Sequence, residues 1–456
     1  MWNLNRRHFL SLLGAAGVHA PGRSSAASRS LQQPGATTFP ALRQQVGGRP
    51  LAYLDSAATT LRPQAVIDAV ADFYATDNAN PAPVHTLARR AASRLAAARQ
   101  TVAQFINAPS PNELVFTRGT TEGINLIAST WGAANLRPGD EVILTIAEHN
   151  SNLLPWRRAA KQAGATVRVV DVDDDGRLRL DQLKQLMTSK TRLIAFSHVS
   201  NVLGLVNPAK DICAVARQAG ARVVIDGAQA APHIKLDVQD LGCDFYVFSG
   251  HKMLGPMGTG VVWGRQELLE AMPPYHVGSN MAHEVDFERE TFEHGALKFQ
   301  AGTPDVAGPV GLAAAVGFLE AAGTDALWKH DQELVRHGLA RLRAIPGLRI
   351  IGSQRAEDRV PVFTFVIEGQ SPTTIARALD QRGVAIRIKV PLAESALVAV
   401  VAPDRLGYRV IRELTFPAAR QQPKKCAGSS FASGPRSVCL DVLDHCIEIR
   451  RPTAVD

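Results

Sequence analysis

Cysteine is scarce in this chain and never paired. The 456 residues hold five, Cys213, Cys243, Cys426, Cys439 and Cys446, and no two form a CxxC spacing. The usual sequence signature of a structural zinc site or a redox dithiol is therefore absent, and no metal is expected. Long apolar runs are missing as well, so no membrane span is expected. A net charge of +8 would ordinarily raise nucleic acid as a partner, but the body of the chain has no positive excess. Residues 1–54 carry six Arg and no acid, residues 388–456 carry ten Lys and Arg against seven Asp and Glu, and residues 55–387 come to −1. The basicity lies in the ends, which argues against a nucleic-acid-binding body. What remains, 46% hydrophobic and 20% charged, is an ordinary globular composition with length enough for a large core and a second domain.

The basic start has a pattern of its own. Asn5-Arg6-Arg7-His8-Phe9-Leu10 leads into an apolar run from Phe9 to Ala20. Paired arginines before such a run resemble a twin-arginine export signal, with small residues for cleavage at Val18-His19-Ala20 or Ser24-Ser25-Ala26. Residues 21–50 read as a linker. A periplasmic or exported protein is expected, the alternative being a cytoplasmic one with a basic leader.

From residue 113 onward the pattern alternates. Strand-like runs fall at 113–117, 141–146, 166–171, 192–197, 222–226, 244–248 and 260–263, with helical spacing at 120–131, 152–163 and 208–219. Strands separated by helices predict an α/β fold with a mostly parallel sheet covered on both faces. In such sheets ligands bind where strand C-terminal ends meet helix N-termini. Helices at about 309–322 and 324–344, strands at 348–351, 361–367 and 384–388 and a helix at 372–382 predict a smaller C-terminal α+β domain. The expected organisation is leader and linker at 1–50, a large domain at 51–310 with 51–85 also serving the small-domain side, and a small domain at 311–456.

The polar residues of interest sit at successive strand ends. Asp244-Phe-Tyr-Val-Phe-Ser249-Gly-His251-Lys252 delivers a lysine into a glycine-rich loop. Desolvation favours its neutral amine, which can form a Schiff base with an aldehyde; the plainer reading is a solvated loop lysine. Thr117-Arg-Gly-Thr120-Thr121-Glu-Gly opens a helix with free N–H groups and two hydroxyls, a phosphate cradle or an ordinary threonine cap. Ala147-Glu-His149 offers a histidine to stack on a flat heterocycle, or to cap a helix. Val224-Ile-Asp226-Gly-Ala-Gln229 offers a carboxylate for a protonated ring nitrogen and an amide for a ring hydroxyl, or a capping Asp. Ser197-His-Val-Ser-Asn201 is a fifth polar tip. Taken together they are the inventory for pyridoxal 5′-phosphate.

Tyr53-Leu-Asp-Ser-Ala-Ala, Arg118-Gly-Thr-Thr-Glu-Gly-Ile-Asn, His198-Val-Ser-Asn-Val-Leu-Gly, Asp226-Gly-Ala-Gln and Asp244-Phe-Tyr-Val-Phe-Ser-Gly-His-Lys resemble the aminotransferase class V family, specifically group II cysteine desulfurases and selenocysteine lyases. The resemblance covers residues 51–387. It implies the type I pyridoxal-phosphate-dependent transferase fold and conversion of L-cysteine or selenocysteine to L-alanine, with release or transfer of sulfur. It implies Lys252 as the cofactor-bearing lysine, His149 on the ring, Asp226 and Gln229 at the ring nitrogen and phenolic oxygen, Asn201 near the ring and the substrate carboxylate, and Thr120, Thr121, Ser249 and His251 at the phosphate. A homodimer is implied, with Gln300-Ala-Gly-Thr303-Pro reaching the partner's phosphate, and a sulfur-acceptor protein of unknown identity is a further expectation.

The pattern stops after Arg387. The loop that carries a nucleophilic cysteine in the family reads Ile388-Lys-Val-Pro-Leu-Ala-Glu-Ser here, with Leu392 at the position counting assigns to the thiol. Arg409 and Arg412 are the candidates for the substrate carboxylate, and Cys426 is a weakly supported replacement thiol. The abruptness of the change suggests a reading-frame shift near codon 388 or a diverged lid. Another class V reaction (β-elimination, epimerisation or transamination) and a cofactor-binding protein inactive in sulfur transfer are the alternatives. Cys213 and Cys243 are expected to be buried structural residues.

Overall fold

The computed structural model describes residues 38–389 and 396–400. The expected export signal, Leu392, Arg409, Arg412 and the three tail cysteines lie outside that range.

The run to residue 50, expected as linker, holds a 3₁₀ turn (Pro40–Arg43) and a two-residue hairpin of Gln45–Val46 with Arg49–Pro50; two longer helices follow, α1 (Gln64–Thr76) and α2 (Thr86–Phe105). The expected alternation follows as β1 (Leu114–Thr117), α3 (Thr120–Ile127), β2 (Glu141–Thr145), α4 (Asn150–Ala163) and β3 (Thr166–Val170). It continues with β4 (Thr191–Ser197), α5 (Ala209–Gln218), β5 (Arg222–Asp226), β6 (Phe245–Ser249) and β7 (Gly260–Gly264). These seven strands form one sheet in the order β1-β7-β6-β5-β4-β2-β3. Strand β7 alone runs antiparallel to its neighbours. The other pairings are parallel. One edge of the sheet therefore collects the C-terminal ends of β1, β2, β4, β5 and β6.

The strands are apolar on both faces because both faces are covered. In β5, Val223 and Ile225 join one core, and Val224 joins the other. The first core is packed by Val102 and Ile106, at and just beyond the end of α2, and by Ile212 and Ala216 of α5. The second is packed by Ile124 and Ile127 of α3 and Trp156 of α4. Continuous hydrophobic strands of this kind belong to parallel sheets buried between helices.

Two more helices, α6 (Ala307–Ala322) and α7 (Thr324–Arg343), lead to a second sheet. Its strands are β8 (Leu348–Ile351) and β9 (Val362–Ile367), then, after helix α8 (Pro372–Asp380), β10 (Arg387–Lys389) and β11 (Ala396–Val400). The order is β8-β9-β11-β10, antiparallel throughout. The run expected as one strand at 384–388 is divided. Val384–Ala385 pairs in parallel with Ala52–Tyr53, and Arg387–Lys389 turns away to join the second sheet. Among the described residues no single helix is long and apolar enough to cross a membrane. Among the elements not anticipated are the helix Leu180–Leu186, the hairpin pairing Ala282–Val285 with Glu290–Phe292, and strand β11. The first two are short, and the hairpin is mostly exposed, so neither carries a long period to read.

Helix α3 lies close enough to the sheet that only glycine fits at its point of approach. A Cβ on Gly123 would stand 2.5 Å from Cγ1 of Val247 and 2.7 Å from Cγ2 of Val262. Gly123→Ala is expected to destabilise the protein by about 1–3 kcal/mol through overpacking, read as a lower midpoint in thermal unfolding.

Candidate active site

The strand ends converge on a cavity of about 270 Å³. Its lining includes Thr120, Thr121, His149, Asn201, Asp226 and Lys252, and also Ser249 and His251. Eight of the residues singled out in the sequence are thus brought together from five strand ends.

Lys252 closes a short 3₁₀ turn, Gly250–Lys252, that begins where β6 ends. The turn is held by its own backbone, with the Gly250 N–H donating to the Thr259 carbonyl (2.9 Å) and the Gly255 N–H to the Gly250 carbonyl (2.9 Å). The His251 carbonyl accepts three more bonds, from the Thr60 N–H (2.9 Å) and from the Thr59 and Thr60 hydroxyls (3.1 Å each). Thr60 Oγ1 also accepts the Leu254 N–H at 2.9 Å. Leu254 holds φ at 68°, a left-handed conformation that a branched side chain adopts only under restraint. The lysine is thus positioned by a segment almost two hundred residues earlier in the chain.

Burial is the main cause that lowers the pKa of the Lys252 ammonium; Asp226 opposes the shift and Arg387 adds to it. Asp226 is buried, and burial raises its carboxyl above the ordinary value, with Lys252 and the Ala228 N–H acting the other way. One carboxylate oxygen accepts that N–H at 2.9 Å.

The N-cap residue of α3 is Gly119, which has no side chain to offer the helix. Gly119 precedes it at φ 147°, a region glycine occupies freely. The Thr120 N–H and hydroxyl both meet Ser249 Oγ at 2.8 Å, so Thr120 is not the ordinary threonine cap. Thr121 Oγ1 lies 2.7 Å from Ser151 Oγ. His251 is pulled down to about 4, first by burial and then by Lys252 and Arg62; its imidazole is neutral near pH 7.

His149 does cap α4, its Nδ1 accepting the Ser151 N–H at 3.2 Å, and it also lines the cavity. Gln229 stands behind the wall: its Nε2 donates to the carbonyl of Ala57, a lining residue, at 2.7 Å. Thr303 is exposed and is not among the lining residues.

Sequence reasoning missed Asp55 and Arg387, which both line the cavity. They form a two-point ion pair, Nε to Oδ1 at 3.0 Å and Nη2 to Oδ2 at 2.9 Å. Only their charged types at a strand end could have flagged them, because the pair spans most of the chain. Glu148 was also passed over. Its carboxylate accepts from the Thr145 hydroxyl (2.6 Å), the Asn152 amide (2.7 Å), and the Ser197 N–H (3.0 Å) and hydroxyl (2.7 Å). Burial lifts its pKa to about 7; the hydrogen bonds from Thr145, Asn152 and Ser197 oppose the shift, and Asp226 adds a smaller push. Cys213 and Cys243 are buried in the core as expected, and burial pushes the Cys213 thiol up to about 12.

The doubly covered sheet and a cavity built round a desolvated lysine amine define an α/β enzyme that works at strand ends. The aminotransferase class-V family matches residues 52–388, and the chain belongs to it. A cysteine desulfurase from Synechococcus elongatus is 44% identical over 387 residues, which is 84% of this chain and 62% of that relative. A probable cysteine desulfurase from Halalkalibacterium halodurans is 45% identical over 350 residues, 76% of this chain and 86% of the relative. The crystal structure of the cysteine desulfurase CsdA from Escherichia coli matches with a TM-score of 0.75 at 36% identity, covering 82% of this chain and 95% of that one. The chain thus spans about 62% of the length of the first relative. The fold expected from the sequence, the α/β type I architecture of pyridoxal-phosphate-dependent transferases, is the one observed. The family match ends at 388, where the sequence pattern also stops.

Proposed function

We propose that this chain is a pyridoxal-phosphate-dependent enzyme of the cysteine desulfurase kind, converting L-cysteine or selenocysteine to L-alanine. The observation that carries the reading is the cavity, which places a desolvated amine, a buried carboxylate and a glycine-capped helix start together.

The residues present fit that cofactor. Asn201 Oδ1 is buried on the cavity wall without a hydrogen-bond partner, and such an atom is costly unless a ligand supplies one. The start of α3 with Thr120, Thr121, Ser249 and His251 suits a phosphate. Asp226 suits a protonated ring nitrogen, and His149 a ring face. Gln229 acts through the Ala57 carbonyl rather than from the cavity wall.

Bound there, the cofactor supplies an electrophilic aldehyde and an electron-withdrawing ring. Lys252, favoured toward its neutral form by burial, provides the amine that anchors it. Lys252 Nζ would also be the base placed to take the proton from the substrate Cα. Asp226 would hold a ring nitrogen in its protonated form, which a solvent-exposed carboxylate would do less well. Arg387, held beside the cavity by Asp55, is the described cation placed to face a substrate carboxylate.

The sulfur step has a second reading, and a specific observation favours it. Residues 388–400 contain no cysteine, and the described thiols, Cys213 and Cys243, are buried. Release of sulfur without a protein thiol, as in β-elimination, is therefore the alternative to transfer; transamination, epimerisation and a non-transferring binding protein rank behind it. Two further proposals rest on sequence. A homodimer fits the exposed Thr303, which lies off its own cavity, and export in folded form fits the Arg6-Arg7 leader. Light scattering of the pure protein and fractionation of expressing cells are expected to return a dimer in the periplasm.

Reconstituted protein is expected to show the visible absorbance of lysine-bound pyridoxal phosphate, and Lys252→Ala to abolish it. With L-cysteine, alanine plus sulfide is the expected product set; pyruvate plus sulfide would establish β-elimination instead. No visible band in reconstituted wild type would overturn the reading.

A further inference from the structure

Glu148 has more bonds than a cap requires. Helix α4 is already capped by His149, yet the neighbouring carboxylate accepts four hydrogen bonds from three elements. Thr145 ends β2, Asn152 lies in the first turn of α4, and Ser197 ends β4. Asn152 is fully buried and is fixed from behind, its Oδ1 accepting the Trp156 indole N–H at 3.1 Å. Ser197 is the register partner of Asp226 on β5. The carboxylate thus ties the residue next to His149 to the strand end that adjoins Asp226.

We propose that Glu148 is a positioning residue, holding His149 and Asp226 in the mutual placement that a bound ring requires. The inference rests on the pyridoxal-phosphate reading above and adds a residue to that site. As a carboxylate, Glu148 accepts from all four donors at once. A Gln in its place would turn an NH₂ either on the Ser197 N–H and the Thr145 hydroxyl or on the Asn152 amide and the Ser197 hydroxyl. Hydroxyls can rotate to accept, but the backbone N–H cannot, and Asn152 can turn its oxygen only by giving up Trp156. At least one donor would face another donor. Asp226 is the charged group that acts on the Glu148 carboxyl; the titratable His149 and His198 adjoin Glu148 and Ser197 in the chain.

Wild type and Glu148→Gln, each reconstituted with pyridoxal phosphate, are compared by cofactor titration and by circular dichroism of the visible band. Glu148→Gln is expected to bind the cofactor about tenfold or more weakly and to show a reduced or inverted dichroic band. Ser197→Ala removes one bond and leaves the carboxylate; it is expected to shift affinity by about threefold in the same direction, and it tests the proposal should Glu148→Gln not fold. A lowered unfolding midpoint with unchanged affinity and dichroism would reduce Glu148 to a structural role and overturn the proposal. A wild type without any visible band is a different result, because it defeats the cofactor reading itself.

Discussion

The arrangement depends on keeping an amine and a carboxylate, Lys252 and Asp226, out of bulk water at the ends of neighbouring strands. Desolvation alone would drive each to its neutral form, and their attraction opposes it. Neither group can be allowed to wander, since a buried charge that loses its partner destabilises strongly. The backbone around both is accordingly over-determined. The carbonyl before Lys252 accepts three bonds from Thr59 and Thr60, and Asp226 is fixed by the Ala228 N–H. The left-handed Leu254 is the conformational cost of that turn.

The sheet supplies the place for such a pair. Parallel strands bring their C-terminal ends to one edge, and helices α3 and α4 begin there, so N–H groups and carboxylates face a common space. Strand β7 enters antiparallel between β1 and β6, which seats Ser249 against Thr120 at 2.8 Å. The segment from Ala52 to Thr60 then links a separate two-stranded parallel pair to the lysine turn. It pairs with Val384–Ala385 at one end and holds His251 at the other.

Much of this was legible before any coordinates. Each long strand of the large sheet was placed within about a residue, because both-face burial writes continuous hydrophobic runs bounded by polar tips. The strand-end residues were legible for the same reason: a Lys, Asp or His that ends such a run has nowhere to go but the edge. What was not legible is pairing across the chain. Arg387 meets Asp55 over most of the sequence, and nothing local to either predicts it. Gln229 was read as facing a ligand because its spacing from Asp226 allows it; the fold spends its amide on Ala57 instead. Glu148 was overshadowed by the histidine beside it. A carboxylate's four bonds come from residues 3, 4 and 49 positions away, and only the last of these, through the sheet, makes it a hub.

The division between carbon and sulfur chemistry follows from the same geography. Every group proposed to act at the substrate Cα is anchored in the large sheet or in the segment that clamps it, within the span that matches the family. A sulfur-accepting thiol would have to come from elsewhere. Cys213 packs inside α5 and Cys243 ahead of β6, both in the core on the far side of that architecture from the solvent. Burial holds them as thiols, and a thiol is a poor nucleophile. The groups proposed to act at the substrate Cα therefore do not depend on a thiol, and among the described residues neither cysteine is placed to accept sulfur.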